Sequence, residues 1–578
     1  MATQKTNFSN TDLAVIFERI AALLEIKGDV IYKIRAYQRA AESLRALGDD
    51  VNKVAAEDRL DKIPAVGKAI AEKIQELLST GQLEFLEQLE QEVPPTLLEL
   101  LQVPDVGPRK AALFWKQLGI IDLVGLEAAA RGGKLRELPG MGEKSEARIV
   151  AGIEALARRS DRMTLALAWS TANRWLEWLR EQPGVIQVEP AGSLRRWRET
   201  VGDLDLVAAV SPDSHLLETF IQQPEVERVL GQGENKASVE LKGGVRIQLW
   251  VAPPERFGSL LAYATGSKNH NVRVRELALK KKLSLSDRGL EQANGELLTY
   301  SDEESLYRAL GLDWLAPELR EDRGEIEAAL AGRLPRLIEI SDLQAELHTH
   351  SNWSDGVATI KEMAQAAIER GYTTLAITDH SGYLGITGGL KVDTLPKQHA
   401  EIEQVRAELG NKICLLHGIE VDITADGSLA LPDEALAELD IVIASLHSSL
   451  RQPREIITAR LLRAIHNPHV DIIAHPSGRL LPNREGADLD WDAVLTAARE
   501  ANIALEINAS PYRLDINDIY ARRAIEMGIP LSINTDSHTP ADLALARFGV
   551  SVARRAWAQP DKVINTWPAE KIKAWLKH

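Results

Sequence analysis

The chain holds one cysteine, Cys414 in KICLLHGIE, so no internal disulfide can form. A buried, inert thiol in a reducing cytosol suits that usage. No apolar run approaches the ~20 residues that span a membrane. The N-terminal stretch MATQKTNFSN lacks the apolar core of a signal peptide. A cytoplasmic protein with no membrane partner is expected. There is no excess of positive charge either: a net charge of −16 argues against holding nucleic acid through a broadly basic surface.

The 578 residues that are present exceed a single core, and the length suggests about three to five domains. A hydrophobic content of 45% with 26% charged residues is that of a soluble globular protein. The charge is uneven: residues 1–150 are roughly balanced, whereas 341–578 carry an excess of about nine acids. Eleven of the thirteen histidines also lie beyond residue 345. Acids and histidines gathered together point to metal ligands more than to a binding surface.

Residues 10–160 read as helices, with 3.6-residue apolar spacing in LAVIFERIAALLEI, RAYQRAAESLRAL and AIAEKIQELL. From about 185 to 255 the period shifts toward two, in VIQVEPAG, DLDLVAAV, ASVELKG and VRIQLWVA. A charged segment, 317–344, joins two halves. Beyond it TTLAIT, DIVIAS, VDIIAH, IALEIN and PLSINT alternate with helical stretches, which predicts βα repetition around a barrel.

Three helical segments share a turn of Pro and Gly: KIPAVGKAIAEKI (62–74), QVPDVGPRKAALF (102–114) and ELPGMGEKSEARI (137–149). Each places a glycine (Gly67, Gly107, Gly142) at a helix N-terminus. Unpaired backbone N–H groups and the helix dipole favour an anion there, so a phosphate can bind without a basic patch. Three copies make ordinary Pro/Gly turns a poor explanation. They resemble helix-hairpin-helix motifs, which grip the DNA backbone without reading sequence.

In AGSLRRWRETVGDLDLV (191–207), Asp203 and Asp205 are two apart on a strand, so both carboxylates project from one face and can share a divalent ion. Gly192 and Ser193 open a tight turn suited to phosphate contact, and Arg195 and Arg196 can neutralise a triphosphate. With helix-hairpin-helix motifs before it, GS-x-RR…GD-x-D resembles the core of a family X DNA polymerase of the DNA polymerase beta type. YATGSKNHNVRVR (263–275) is similar to that family's YFTGS segment. The resemblance implies that Gly192, Ser193, Arg196 and Gly202 serve the triphosphate, and that Tyr263, Gly266, Asn271 and Arg275 contact the incoming nucleotide or template pair. It also implies Mg²⁺ or Mn²⁺ on Asp203 and Asp205. In the N-terminal lyase-like domain it places Lys73 as a Schiff-base lysine and Lys33 near a 5′ phosphate.

The family carries a third aspartate on a later strand. Through GGVRIQLWV its position here is Gln248. Two-metal transfer needs one ion to lower the pKa of the 3′ hydroxyl, and that ion draws on all three carboxylates. A neutral amide offers one weak carbonyl ligand and accepts no proton. Nucleotide binding with impaired chemistry is expected, and Ala264, where the family usually has Phe, loosens the sugar pocket. The alternative is that Glu240, across the KGG hairpin, supplies the carboxylate.

ELHTHSNWSDG (346–356) sets His348 and His350 two apart, with Asp355 in the loop beyond. His380, Glu420, His447, His475, Asp536 and His538 follow near successive strand ends. At the C-terminal rim of a βα barrel such residues converge, and six histidines with three carboxylates can hold two or three Mn²⁺- or Zn²⁺-like ions, Glu420 bridging. This set resembles the polymerase-and-histidinol-phosphatase (PHP) domain, and the domain order resembles bacterial family X polymerases. The resemblance implies one metal on His348, His350, Glu420 and Asp536, a second on Glu420, His447 and His475, and a third on Asp355, His380 and His538. Glu346 stands where an aspartate is commoner; His417 reads as structural, and His399, His466 and His469 as solvated. Arg479, Arg484 and Arg513 are expected to offer guanidinium groups to DNA phosphates.

The fold expected is a multidomain α plus α/β chain. It comprises a lyase-like helical domain (1–90), a second helical subdomain with two helix-hairpin-helix motifs (91–160), a mixed α+β nucleotidyltransferase palm (161–255) and a thumb (256–318). A linker (319–342) and a distorted (β/α) barrel of PHP type (343–578) complete it. The function expected is a monomeric DNA-repair enzyme acting on gapped, nicked or 3′-ended duplex, with dNTP as a further ligand. Its PHP domain would act as 3′-5′ exonuclease, 3′-phosphatase and abasic-site endonuclease. The alternatives are a working gap-filling polymerase with exonuclease, a DNA-binding scaffold with structural zinc, and a small-molecule phosphatase on the same barrel.

Overall fold

The computed structural model describes residues 8, 10–45, 47, 50–101, 103, 106–156, 162–383, 388–481, 484 and 486–576. Gln102, Pro104 and Asp105 of the second Pro/Gly segment, and the boundary at 160/161, lie outside the described residues. The chain divides into two compact units, 1–160 and 161–578. Among the described residues, no helix is long and apolar enough to cross a membrane.

The first unit is helical. Its core gathers Leu13, Phe17, Ile20 and Leu24 of the helix Asn10–Lys27 with Ile34, Tyr37, Ile74, Leu77 and Phe114 from later helices. Gly67 and Gly107 are the extended residues capping the helices Lys68–Thr80 and Pro108–Leu118, with φ of −79° and −88°. Gly142 precedes the helix Glu143–Leu156. A Cβ added at any of the three would meet nothing within 4 Å. Neither backbone strain nor crowding demands glycine here, and all three glycines are exposed.

The second unit opens with a five-stranded sheet of β1 (Val185–Pro190), β2 (Asp203–Val210), β3 (Val226–Gln232), β4 (Lys236–Leu241) and β5 (Arg246–Ala252). Their order is β1-β2-β5-β4-β3, and only the β2/β5 pair is parallel. The helix Leu165–Arg180 buries Trp175, Leu176 and Leu179 in the same core. Sequence alternation finds four of these strands and misses β3. That edge strand, VERVLGQ, is half-exposed throughout and shows no clean period of two. The helices Phe257–Thr265 and Lys268–Lys280, a small antiparallel sheet and the helix Glu303–Ala309 follow.

The segment expected as a linker is instead built into the fold. The helix Glu325–Leu330 lies within it, and Arg320, Glu325, Ile326 and Ile338 are buried. Beyond it run β6 (Ala345–Glu346), β7 (Thr374–Ile377), β8 (Cys414–Asp422), β9 (Ile441–Ser445), β10 (Ile472–Ala474), β11 (Ala504–Asn508) and β12 (Leu531–Asn534). All seven are parallel and adjacent in chain order. They are buried nearly end to end, as parallel strands covered on both faces must be. A bridge between Thr349 and Ser537 joins the two ends of the sheet, giving a distorted barrel. Cys414, expected to be buried, is only half-buried.

Candidate metal centre and nucleotide site

The chain leaves each barrel strand at the same rim, which is why side chains distant in sequence meet. His348 Nε2 lies 3.4 Å from Glu420 Oε2, and His350 Nε2 lies 2.9 Å from Asp536 Oδ1. His475 Nε2 and His447 Nε2 approach Glu420 Oε1 at 3.1 and 3.3 Å. Asp355 reaches His380 Nε2 at 3.5 Å and His538 Nε2 at 3.3 Å.

Among the described residues, three groups converge tightly enough to hold an ion: His348–His350–Glu420–Asp536, His350–Asp355–His380–His538, and His380–Glu420–His447. The first matches the expected set. The others differ from it: His350 joins the Asp355 group, His380 is common to two groups, and His475 approaches Glu420 without completing one. Several ligand atoms, among them His348 Nε2, His380 Nδ1 and Glu420 Oε2, are buried with little but one another to face, His380 Nδ1 lying 2.7 Å from Glu420 Oε2. Buried polar atoms are rarely left so, and a divalent cation is the partner this nitrogen and oxygen set fits.

The charges agree. Burial alone would raise the Glu420 carboxyl, but His380, His447 and His348 around it hold it well below its ordinary value. Burial opposes charge on His447 too, yet Glu420 and Asp422 lift it to about 10. His538 rises to about 9 beside Asp355 and Asp536, which outweigh its burial. Protons here occupy places that cations would take, so metal binding releases them.

Two carboxylates that sequence reasoning passed over orient the ligands. Glu506, buried on β11, lies 2.8 Å from His348 Nδ1 and accepts from the His475 backbone N–H at 2.8 Å and from Asn534 Nδ2 at 2.9 Å. Asp422 lies 2.9 Å from His447 Nδ1. Such partners fix the tautomer and direction of a metal-binding imidazole. The only signal was an acid inside an apolar strand, IALEIN and HGIEVDI. Glu346, accepting from the Thr535 hydroxyl at 2.8 Å, is pushed up to about 7 by burial.

Of the three rim arginines, Arg513 lies nearest the cluster, its Nε 3.8 Å from Asp536. Arg479 does not face a ligand. It donates to the carbonyls of Arg513 and Leu514 and meets Glu199 of the palm at 2.8 Å, so each of its three nitrogens has a protein partner. Arg484, though exposed, donates to the Gly478 carbonyl and closes a local turn with Leu480. His417, buried, lies 3.1 Å from Gln398; His399 and His466 are exposed, and His469 half-buried.

On the palm, β2 and β5 run in register, with Asp203 beside Arg246 and Asp205 beside Gln248. Gln248 therefore stands on the carboxylate face, at the place the alternation of the strand gave it. Glu240 pairs with Arg246 in register, and its carboxylate accepts from Arg228 at 3.0 Å; it is committed elsewhere. Burial, with Asp203 close by, lifts Asp205 to about 6. Gly192 has φ +58°, and a Cβ there would lie 2.1 Å from Asp205 Oδ2. That approach seats the 192–193 turn on the carboxylates.

Arg195 is structural rather than a phosphate ligand: it forms a fork to Glu303 at 2.8 and 2.9 Å and donates to Thr265 Oγ1. Buried Arg320 grips the same Glu303. Arg196 donates to Glu321 at 3.1 Å and to the Thr265 carbonyl. Asn271 Nδ2 donates to the Tyr263 carbonyl at 2.8 Å, Arg275 lies over the Tyr263 ring at 5.5 Å, and a Cβ on Gly266 would meet Arg196 Nη1 at 3.2 Å. His270, a residue sequence reasoning left without a role, is buried between Glu325 and Tyr307 at 2.7 and 2.9 Å. In the first unit Lys33 and Lys73 place their Nζ atoms 5.1 and 4.9 Å from the Phe85 ring.

The chain is similar to the DNA polymerase/3′-5′ exonuclease PolX of Bacillus subtilis (strain 168), 38% identical over 569 residues that cover 98% of this chain and 99% of the relative. It belongs to the family X DNA polymerases that carry a PHP domain. Residues 8–83 match a helix-hairpin-helix domain and 97–155 a SAM-like helix-hairpin-helix tandem. Residues 260–321 match the DNA polymerase beta thumb, and 346–510 the PHP domain. A probable phosphatase of Thermoanaerobacter sp. (strain X514) is 34% identical over 252 residues, 41% of this chain and 95% of its own. One from Shewanella oneidensis is 28% identical over 233 residues, 39% of this chain and 87% of its own. These two relatives each match about two fifths of the chain and nearly all of their own length. The chain is an enzyme of this family, its helix-hairpin-helix and thumb domains bind DNA, and its barrel has the ligands for divalent metal.

Proposed function

We propose that this enzyme processes DNA ends by hydrolysing phosphoesters at the barrel rim, while its palm binds a nucleotide but transfers it poorly. The convergence of buried imidazole and carboxylate atoms on Glu420 carries the reading. His348, His350, Asp355, His380, Glu420, His447, His475, Asp536 and His538 would hold two or three ions, Mn²⁺ or Zn²⁺. Such ions supply an acidified water and charge on the leaving oxygen. Glu506 and Asp422 keep the imidazoles aimed, and Arg513 offers its guanidinium to the phosphate. The relative named as a polymerase and 3′-5′ exonuclease supports 3′ ends as substrate; 3′-phosphates and abasic sites fit the same chemistry.

On the palm, Asp203 and Asp205 would take the nucleotide's Mg²⁺ or Mn²⁺, with Ser193, Gly202 and Arg196 at the triphosphate and Tyr263, Gly266, Asn271 and Arg275 at the base pair. Gln248 leaves the primer side one carboxylate short, and Glu240, bonded to Arg228, does not stand in for it. The helix starts at Gly67, Gly107 and Gly142 would hold the backbone of a gapped or nicked duplex. Lys33 and Lys73, both beside Phe85, form the place where a 5′ phosphate and a lyase step would be sought. The enzyme would work as a cytoplasmic monomer.

The test is turnover on a 5′-labelled, one-nucleotide-gapped duplex with Mn²⁺, with and without dNTPs. Wild type should shorten the primer, His348→Ala should not, and Gln248→Asp should extend it. Robust extension by wild type would overturn the impaired-palm reading, and shortening by His348→Ala would remove the barrel as its source.

A further inference from the structure

We infer that Arg555, on the barrel helix Ala546–Arg555, is a positioning residue for the palm's nucleotide site, holding Arg196 where a triphosphate meets it. This rests on the reading above in which Arg196 serves the triphosphate.

Arg555 closes on Arg196 in two ways. Its Nη1 donates to the Arg196 main-chain carbonyl at 2.7 Å. The same nitrogen donates at 2.9 Å to Glu321 Oε1, the oxygen that receives Arg196 Nε at 3.1 Å. Backbone and side chain of Arg196 are thus fixed by one guanidinium from another domain. Arg555 Nη2 is in turn anchored on Asp518 Oδ2 at 2.9 Å, where Arg323 also donates at 2.8 Å.

These groups are shielded. The Arg555 side chain is 3% exposed and that of Glu321 13%. Screening by salt is weak at such burial, and removing one partner leaves a charge uncompensated. Glu321 stays ionised, down at about 2, because Arg555 and then Arg196 outweigh its burial. The next residue, Trp197, has φ +53° and meets Phe548 of the same barrel helix edge-on at 6.0 Å. The turn that starts at Gly192 therefore ends on the barrel, and its geometry is set there.

A guanidinium that fixes Arg196 acts first on contacts to the triphosphate and only at second hand, through the Thr265 carbonyl, on those to base and sugar. The experiment compares fluorescent dATP and dAMP analogues, with Mg²⁺, on the full-length enzyme. The DNA is a gapped duplex whose primer ends in a dideoxynucleotide behind a phosphorothioate linkage. Arg555→Ala should weaken the triphosphate on the order of tenfold, a usual size for coupling between distinct sites, and the monophosphate far less. Arg555→Lys should recover only part of this, since an ammonium cannot serve a carbonyl and two carboxylates as a planar fork does. Hydrolysis of 3′ ends and the melting temperature report the integrity of the fold. Equal weakening of both nucleotides, or of neither, overturns the inference. Arg196→Ala separates the two readings: if it keeps the preference of wild type for triphosphate, or wild type has none, the role of Arg196 fails first.

Discussion

Gln248 differs from an aspartate by one methylene and one charge, yet its strand keeps the register that sets it beside Asp205. The family resemblance pointed to that position and strand alternation fixed its face, because a slip of one residue would turn it to the other side. Arg479 was misread for the opposite reason. Its partners, two carbonyls and Glu199 far upstream, leave no trace in local sequence. Glu506 was missed because an acid within an apolar strand looks alike whether it serves a metal ligand or only a hydrogen-bond network. Two outcomes are expected at this scale. Gly192→Ala, with its Cβ driven into Asp205, should lower affinity for Mg²⁺-dNTP by more than about tenfold while 3′ hydrolysis persists, as nucleotide titration beside an exonuclease assay would show. Glu506→Gln should lower metal affinity by roughly 10–100-fold, measured by competition with a chelator.

Among the elements, the barrel strands were the easiest to read, since buried β-branched runs recur at regular spacing. The segment after residue 317 was the hardest. Its charges look like those of a tether, but Arg320, Glu321 and Glu325 are ion-paired and largely buried. Charge counts do not distinguish a solvated helix from an internal network. The network has a pH signature. Glu321 has a folded-state pKa of about 2 against an ordinary 4.5. A depressed carboxylate contributes stability that is present above its unfolded value and lost as pH falls toward the folded one. The gap in denaturation midpoint between wild type and Glu321→Gln should therefore be widest above pH 4.5 and close as pH drops to about 2. The three helix starts permit a cleaner test. Since a Cβ meets nothing at Gly67, Gly107 or Gly142, the triple alanine variant should melt like wild type and bind gapped duplex on the order of tenfold more weakly by fluorescence anisotropy.

For the whole molecule, a net charge of −16 and the proposed grip on DNA through backbone N–H groups would mean little counterion release. The logarithm of affinity for gapped duplex should fall with the logarithm of salt at a slope worth only a few phosphate contacts; a steep slope would mean lysine and arginine do the holding.

Glu199, Glu321 and Arg323 of the upstream half meet Arg479, Arg555 and Asp518 of the barrel, largely out of water. Deleting the palm from this chain would therefore strand charges that the two sides now neutralise for each other, Arg555 above all. If the palm transfers nucleotides poorly, as proposed, selection on the hydrolytic chemistry would still shelter its body as a supporting wall, and only the residue beside Asp205 would be released to change.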